Sequence, residues 1–284
     1  MILLRRSFIH IPRIGPLTER LIWQSGVTCW DDCLRAAAAR VRPNLRAHLL
    51  EHVEVSRERL ESGDARHFQA ALGSLHAWRL YDDFRERTAY LDIETTGLSF
   101  GPDEITVIGV YDGEEAKTFV KGRNLDAFPR EICRYSLLVT FNGAGFDLPF
   151  LRTRFPDFDR ELAHIDLLHV MRRLGYRGGL KRIERELGLG RPEALHDLDG
   201  YCAVLLWHRH LRGRKHALET LLRYNLEDVV SLERLAQLAY NLMLKHIPIP
   251  VEEIPLSARP AIPHSFDESL VHEVARQSAN RYWR

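Results

Sequence analysis

The sequence predicts an α/β protein: a mixed β-sheet flanked by helices, with a helical N-terminal region ahead of it. Three observations carry that prediction. Residues 88–120 hold three β-rich segments divided by turn residues. A short helical pattern around 129–135 leads into Leu137-Leu138-Val139-Thr140-Phe141, a continuous apolar strand of the kind buried on both faces. Residues 217–246 then keep an apolar period near 3.6, the mark of one long helix burying a stripe. An order of β-β-β-α-β followed by long helices suits a mixed sheet with helices on its faces.

Composition sets the limits. At 284 residues, with 45% hydrophobic and 28% charged, the chain is neither disordered nor too small for a sizeable core. A net charge of +1 announces no nucleic acid globally, so any basic surface must be local. Cys29, Cys33, Cys133 and Cys202 are too few and too scattered for a disulfide framework. The N-terminal apolar run is too short for a signal peptide, and no stretch reaches the length of a membrane span. The expectation is a cytoplasmic protein that meets no membrane, divided into an N-terminal region (1–87), a central domain (88–246) and a C-terminal tail (247–284).

In chain order, residues 7–27 pass from a short apolar segment through a Pro/Gly hairpin into a helix with Leu17, Leu21 and Ile22 as its apolar positions. Gly26 stops it. This resembles half of a helix-hairpin-helix module, whose glycine-rich hairpin offers backbone N–H groups to phosphate. Arg13 departs from the pattern, standing where that family has its first glycine, so a structural or protein-docking module fits as well. Thr28 or Asp31 caps a helix through the alanine run 36–39, and Pro43 ends it. Two further amphipathic helices follow over 45–60 and 67–84, with Gly63-Asp64 between them.

The first strand reads Ala89-Tyr90-Leu91-Asp92-Ile93-Glu94-Thr95-Thr96-Gly97-Leu98. Residues two apart in a strand face the same side, so Asp92 and Glu94 project together. Side-by-side acids on a core strand repel unless a cation lies between them, although a surface strand with two solvated acids fits this decapeptide equally well. Strands over 104–111 and 116–120 follow, joined by Asp112-Gly113.

After the apolar strand, Asn142-Gly143-Ala144-Gly145-Phe146-Asp147 turns sharply into a helix. Asp147 there has the position of a cap, and Asn142 that of a turn residue. A helical tract is expected over 159–174, carrying His164, Asp166 and His169, and another over 180–187, ended by Gly188. Arg172, Arg173, Arg177, Lys181, Arg182 and Arg185 form a basic run that is a solvated face or, beside a metal site, a phosphate track. A second basic cluster, from His208 to His216, falls at a helix-to-helix loop. On the long helix, Tyr224 and Asp228 share a face and interrupt its apolar stripe. A carboxylate there is costly unless paired or bound to a metal, and a Tyr–Asp hydrogen bond is the plain alternative. The Pro-rich tail reads as a surface strap with a short helix over 268–282.

Together these pieces resemble the DEDD superfamily of 3′–5′ exonucleases, in its tyrosine subclass. The first motif matches Asp92-Ile93-Glu94-Thr95-Thr96-Gly97, the second Asn142-Gly143-Ala144-Gly145-Phe146-Asp147, the third Tyr224-Asn225-Leu226-Glu227-Asp228. Within it, the sequence is similar to the YprB-type ribonuclease-H-like proteins. The likeness there rests on His164-Ile165-Asp166-Leu167-Leu168-His169, on Asp197-Leu198-Asp199-Gly200 and on an N-terminal Ile-Pro-x-Ile-Gly.

The resemblance implies a ribonuclease-H-like sheet and a two-metal nuclease using Mg²⁺ or Mn²⁺. Asp92, Glu94, Asp147 and Asp228 would be metal ligands, and Tyr224 would orient or deprotonate the attacking water. Thr95 and Asn142 would touch the terminal nucleotide, while Asp166, His164 and His169 would support the site. The expected activity is 3′–5′ exonuclease action on single-stranded DNA or RNA. The rivals are a structure-specific endonuclease with the same site and a non-catalytic nucleic-acid-binding adaptor.

Overall fold

The computed structural model describes residues 3–35, 41–195 and 198–280. Its strands are β1 (Thr88–Thr95), β2 (Ile105–Tyr111), β3 (Ala116–Val120), β4 (Leu137–Thr140) and β5 (Ala163–Asp166). They form one sheet in the order β3-β2-β1-β4-β5. β1, in the middle, runs antiparallel to β2 and parallel to β4; β3 pairs antiparallel with β2, and β5 parallel with β4. The predicted mixed sheet is therefore present, and β4 is buried throughout, as its unbroken apolar run requires, as is β2.

Around the sheet lie α1 (Pro16–Gln24), α2 (Pro43–Glu61), α3 (Ala65–His76), α4 (Tyr81–Phe84), α5 (Phe128–Ile132), α6 (Asp147–Arg154), α7 (Leu167–Arg173), α8 (Leu180–Glu186), α9 (Gly200–Leu211), α10 (Ala217–Leu244) and α11 (Glu268–Ala279). One apolar cluster runs from Phe8, Trp30 and Phe68 in the helical N-terminal region through Tyr90 and Ile165 of the sheet to Tyr240 of α10.

Several expectations need correction. The helical tract over 159–174 opens instead as β5, and only Leu167–Arg173 is helical. Four residues are too few for periodicity to tell strand from helix. β5 exists because β4 offers it an open edge and because Gln69 of α3 caps its far side. The Gln69 amide donates to the His164 carbonyl (3.0 Å) and accepts from the His164 N–H (2.9 Å). Near the N-terminus, the Thr28 and Asp31 caps are replaced by Asp32, whose carboxylate accepts from the N–H groups of Thr28 and Cys29. That turn is a 3₁₀ segment, Trp30–Leu34, and the alanine run at 36–39 lies outside the described residues. Pro43 opens α2 at its first turn, where a missing N–H costs nothing.

On α1, Ile22 alone of the three expected apolar positions is buried. Leu17 and Leu21 are exposed, while Glu19, Ile22 and Trp23 are buried. Glu19 turns inward because Arg79 meets it with two 2.8 Å hydrogen bonds and the Phe8 N–H adds a third. Long-range pairing of this kind leaves no periodic trace. Gly26 does end α1, with φ +94°: its N–H bonds to the Trp23 carbonyl and that of Val27 to Ile22, a Schellman motif. Arg13, in the hairpin ahead of α1, holds φ +66°, the conformation that favours glycine.

Helix α10 packs across β1, β2 and β3. Gly109 of β2 permits the close approach: a Cβ there would lie 2.1 Å from Asn225 Oδ1 and 2.8 Å from Val229. Gly109→Ala is expected to cost about 1–3 kcal/mol of stability by pushing α10 outward, read as a lowered midpoint in urea unfolding. An unchanged midpoint would show that the helix has room to spare.

The tail runs along α10. Asn241 exchanges two 2.8 Å hydrogen bonds with Ile254, Gln237 holds Ser257, and buried Glu227 pairs with Arg223 and with Arg259 of the tail. α11 ends at Ala279, and the last two positions expected in that helix fall outside the described residues.

Candidate active site

The β1–β4 ladder ends at Tyr90–Val139, so the C-terminal half of β1 runs on past β4. A crevice opens there, at the carboxyl ends of two parallel strands, where open α/β sheets place their ligand sites. Its volume is about 720 Å³, and its lining includes Asp92, Glu94, Thr95, Asn142, Asp147, Tyr224 and Asp228. All seven predicted site residues meet in this one cleft, drawn from β1, the β4–α6 turn and α10.

Each side chain is placed by a different device. Asp92 and Glu94 alternate to the same face of β1. The Asn225 amide donates to Asp92 Oδ2 (2.9 Å), reaching it over Gly109, the residue paired with Asp92 across the β1–β2 ladder. Asp147 begins α6 without capping it. Its Oδ1 accepts instead from the Ile93 N–H (3.1 Å), on the stretch of β1 that β4 leaves free.

Asn142 takes φ +66° at the end of β4, and the turn after it is held by Asp166. One Asp166 oxygen accepts from the N–H groups of Asn142 (2.8 Å) and Leu168 (3.0 Å), the other from Ala144 (3.0 Å). Asp166 thus caps α7 and shapes the second motif in one stroke. His164 supports it from β5, with Nε2 2.9 Å from Thr140 Oγ1. His169 is only 4.0 Å from Asp166 and stays half in solvent. Asp199 caps α9 by accepting from the Cys202 N–H, while Asp197 lies outside the described residues.

Three residues outside the cleft lining reach the site through Tyr224 and Asp228 and leave no periodic mark in the sequence pattern. Lys181, read as part of a basic run, is drawn under the cleft and donates to Tyr224 Oη (2.7 Å) and to the Leu198 carbonyl. Arg191 is buried and forms ion pairs with Asp228 (2.6 Å) and with Glu184 of α8 (2.7 Å). A Tyr224–Asp228 hydrogen bond, the plain alternative for that pair, is therefore replaced by separate cationic partners. Spacing along the chain could not reveal Arg191 or Glu184. The one available signal was the acid-and-base pattern of 181–191 flanking a glycine stop.

The electrostatics of the cleft are unbalanced. Asp92, Glu94, Asp147, Asp228 and Glu184 face two cations, Lys181 and Arg191. Burial, then repulsion from Asp147, Glu94 and Asp228, holds the Asp92 carboxyl well above its ordinary range. Burial and Asp228 do the same to Glu94, and burial raises Asp147 to about 7. Burial, reinforced by Asp228, Glu94 and Asp92, also drives the Tyr224 phenol well up, so it keeps its proton. Hard carboxylate oxygens carrying excess negative charge on rigid elements are a donor set that suits divalent cations.

Asp147 binds its proton more tightly in the folded protein than at its ordinary value of 3.8, so ionising it destabilises the fold. In EDTA, stability should fall as pH rises from about 4 to about 7, and Asp147→Asn should flatten that fall. The check is thermal melting of both proteins across the window. A wild-type midpoint that does not fall relative to the variant would refute it.

A family model for the RNase H superfamily matches residues 89–240. The uncharacterized protein YprB of Bacillus subtilis (strain 168) is 34% identical over 165 residues, covering 50% of this chain and 39% of that protein. The chain thus spans about two-fifths of the length of that curated relative. Among solved structures, the family B DNA polymerase from the hyperthermophilic archaeon Pyrobaculum calidifontis aligns with a TM-score of 0.44 at 20% identity. That alignment covers 54% of this chain and 25% of the polymerase chain. No helix among the described residues is long and apolar enough to cross a membrane.

Proposed function

The chain belongs to the RNase H superfamily, and from that premise we propose that it is a metal-dependent nuclease, a 3′–5′ exonuclease acting on single-stranded DNA or RNA. The observation that carries this reading is the convergence of Asp92, Glu94, Asp147, Asp228 and Tyr224 on one cleft, where burial and mutual repulsion disfavour charged carboxylates unless cations join them. Residues 88–246 would form the catalytic domain, with 1–87 and 247–284 packed around it.

Asp92, Glu94, Asp147 and Asp228 would hold two Mg²⁺ or Mn²⁺ ions. Bound there, such ions polarise the scissile phosphodiester and stabilise the attacking and leaving oxygens. The residues themselves do the rest. Asn225 fixes the Asp92 carboxylate, and Arg191 fixes Asp228. Tyr224, held by Lys181, would orient or deprotonate the attacking water. Thr95 and Asn142, on the cleft wall, would contact the terminal nucleotide.

The test is a time course on 5′-labelled and 3′-labelled single-stranded oligonucleotides, as DNA and as RNA, with Mg²⁺, Mn²⁺ or EDTA. A metal-dependent ladder that shortens from the 3′ end supports the exonuclease. Tyr224→Phe should slow it about 10²-fold, with little change in binding. Discrete internal cuts would replace the exonuclease by an endonuclease, and binding without any cleavage would leave only an adaptor.

A further inference from the structure

Helix α2 carries no part of the cleft, yet it presents His48, Glu51 and His52 on one face at spacings of three and four residues. One ligand atom from each lies within 4.8 Å of the other two, a grouping found once among the described residues. The two imidazole rings are tilted against each other with centroids 4.3 Å apart.

Their hydrogen bonds reveal which nitrogen of each ring is protonated. His48 Nε2 lies 2.8 Å from the Pro12 carbonyl, and His52 Nδ1 lies 3.0 Å from the His48 carbonyl. A carbonyl oxygen can only accept, so each of these nitrogens bears the hydrogen. His48 Nδ1 and His52 Nε2 therefore carry lone pairs. A ring N–H tied to a backbone carbonyl, with the other nitrogen free, is the arrangement that orients histidine for metal ligation. Glu51, exposed on the same face, supplies the anionic oxygen.

We propose that His48, Glu51 and His52 form a zinc site on α2, separate from the nuclease cleft, with water completing a four-coordinate ion. Two imidazoles, which are borderline donors, with one carboxylate suit Zn²⁺ rather than Mg²⁺ or Ca²⁺. Ligand bonds of about 2.0–2.2 Å draw the three side chains together by small rotamer changes. Because His48 also holds the Pro12 carbonyl, an ion there ties α2 to the hairpin in which Arg13 keeps its positive φ. The site is a structural clamp on the N-terminal region.

The experiment titrates Zn²⁺ alone into the full chain against a chromogenic zinc indicator. Wild type, Asp92→Ala, His52→Ala and Glu51→Ala are compared, with Co²⁺ absorption as a reporter of tetrahedral geometry. One zinc equivalent should survive Asp92→Ala, and binding should weaken at least about tenfold in His52→Ala and in Glu51→Ala. In the Asp92→Ala background, zinc should raise the thermal midpoint, and adding His52→Ala should abolish that rise. Glu51 is exposed, so its loss leaves the fold intact and keeps the test decisive if His52→Ala is unstable. Equal zinc affinity in wild type and Glu51→Ala, or loss of all zinc in Asp92→Ala, would overturn the proposal.

Discussion

Asp92→Ala is expected to lower metal-dependent cleavage of a 5′-labelled oligonucleotide by about 10³-fold or more, equivalent to about 4 kcal/mol of transition-state stabilisation. Asp92 is the acid whose charge is opposed by the other three acids of the cleft, so it is the group that gains most from bound cations. The same substitution removes a source of repulsion. In EDTA, Asp92→Ala should therefore melt above wild type, the relieved repulsion outweighing the lost Asn225 hydrogen bond. Steady-state cleavage rates and thermal melts on the same preparations check both halves. Activity retained within tenfold would remove Asp92 from the catalytic machinery; activity lost together with a collapsed fold would make its role structural.

Arg191→Met is expected to destabilise the protein by about 3–5 kcal/mol. The Arg191 side chain is 1% exposed and stands between Glu184, also 1% exposed, and Asp228. Truncating it strands two buried carboxylates, and that uncompensated charge is the source of the penalty. Restoring balance with Glu184→Gln should recover part of the loss, because one of the stranded charges is then gone. The nuclease reading adds a second effect: with Asp228 unanchored, cleavage should drop further than the fraction of folded protein explains. Urea unfolding of both single variants and the double variant measures the coupling. Additive single-variant effects would show that Glu184 and Arg191 do not act as a unit.

How much of this was legible in the chain depends on the length scale of each interaction. β2, β3 and β4 appear within about one residue of their sequence-predicted bounds, and β1 ends at Thr95 before Thr96-Gly97-Leu98, since apolar runs and turn residues are local signals. β5 was not legible: His164 and Ile165 become strand only because β4 and Gln69 lie on either side of them. Leu17 and Leu21 show the same limit on a helix, where the buried face was chosen by Arg79, sixty positions from Glu19.

The candidate site divides in the same way. Sequence alone determined the carboxylates and the tyrosine, because alternation along a strand puts Asp92 beside Glu94 and a four-residue step puts Tyr224 over Asp228. It also marked Asp147 and Asn142, through the turn they occupy. Tertiary structure alone decided that these groups share a cleft and that Asp147 bonds to Ile93 rather than capping its own helix. It likewise decided that Lys181 and Arg191 neutralise part of the charge. The reason is physical: backbone periodicity is a local property of the chain, whereas the pairing of buried charges is set by which distant elements are packed together, and only the folded sheet and α10 bring them within reach.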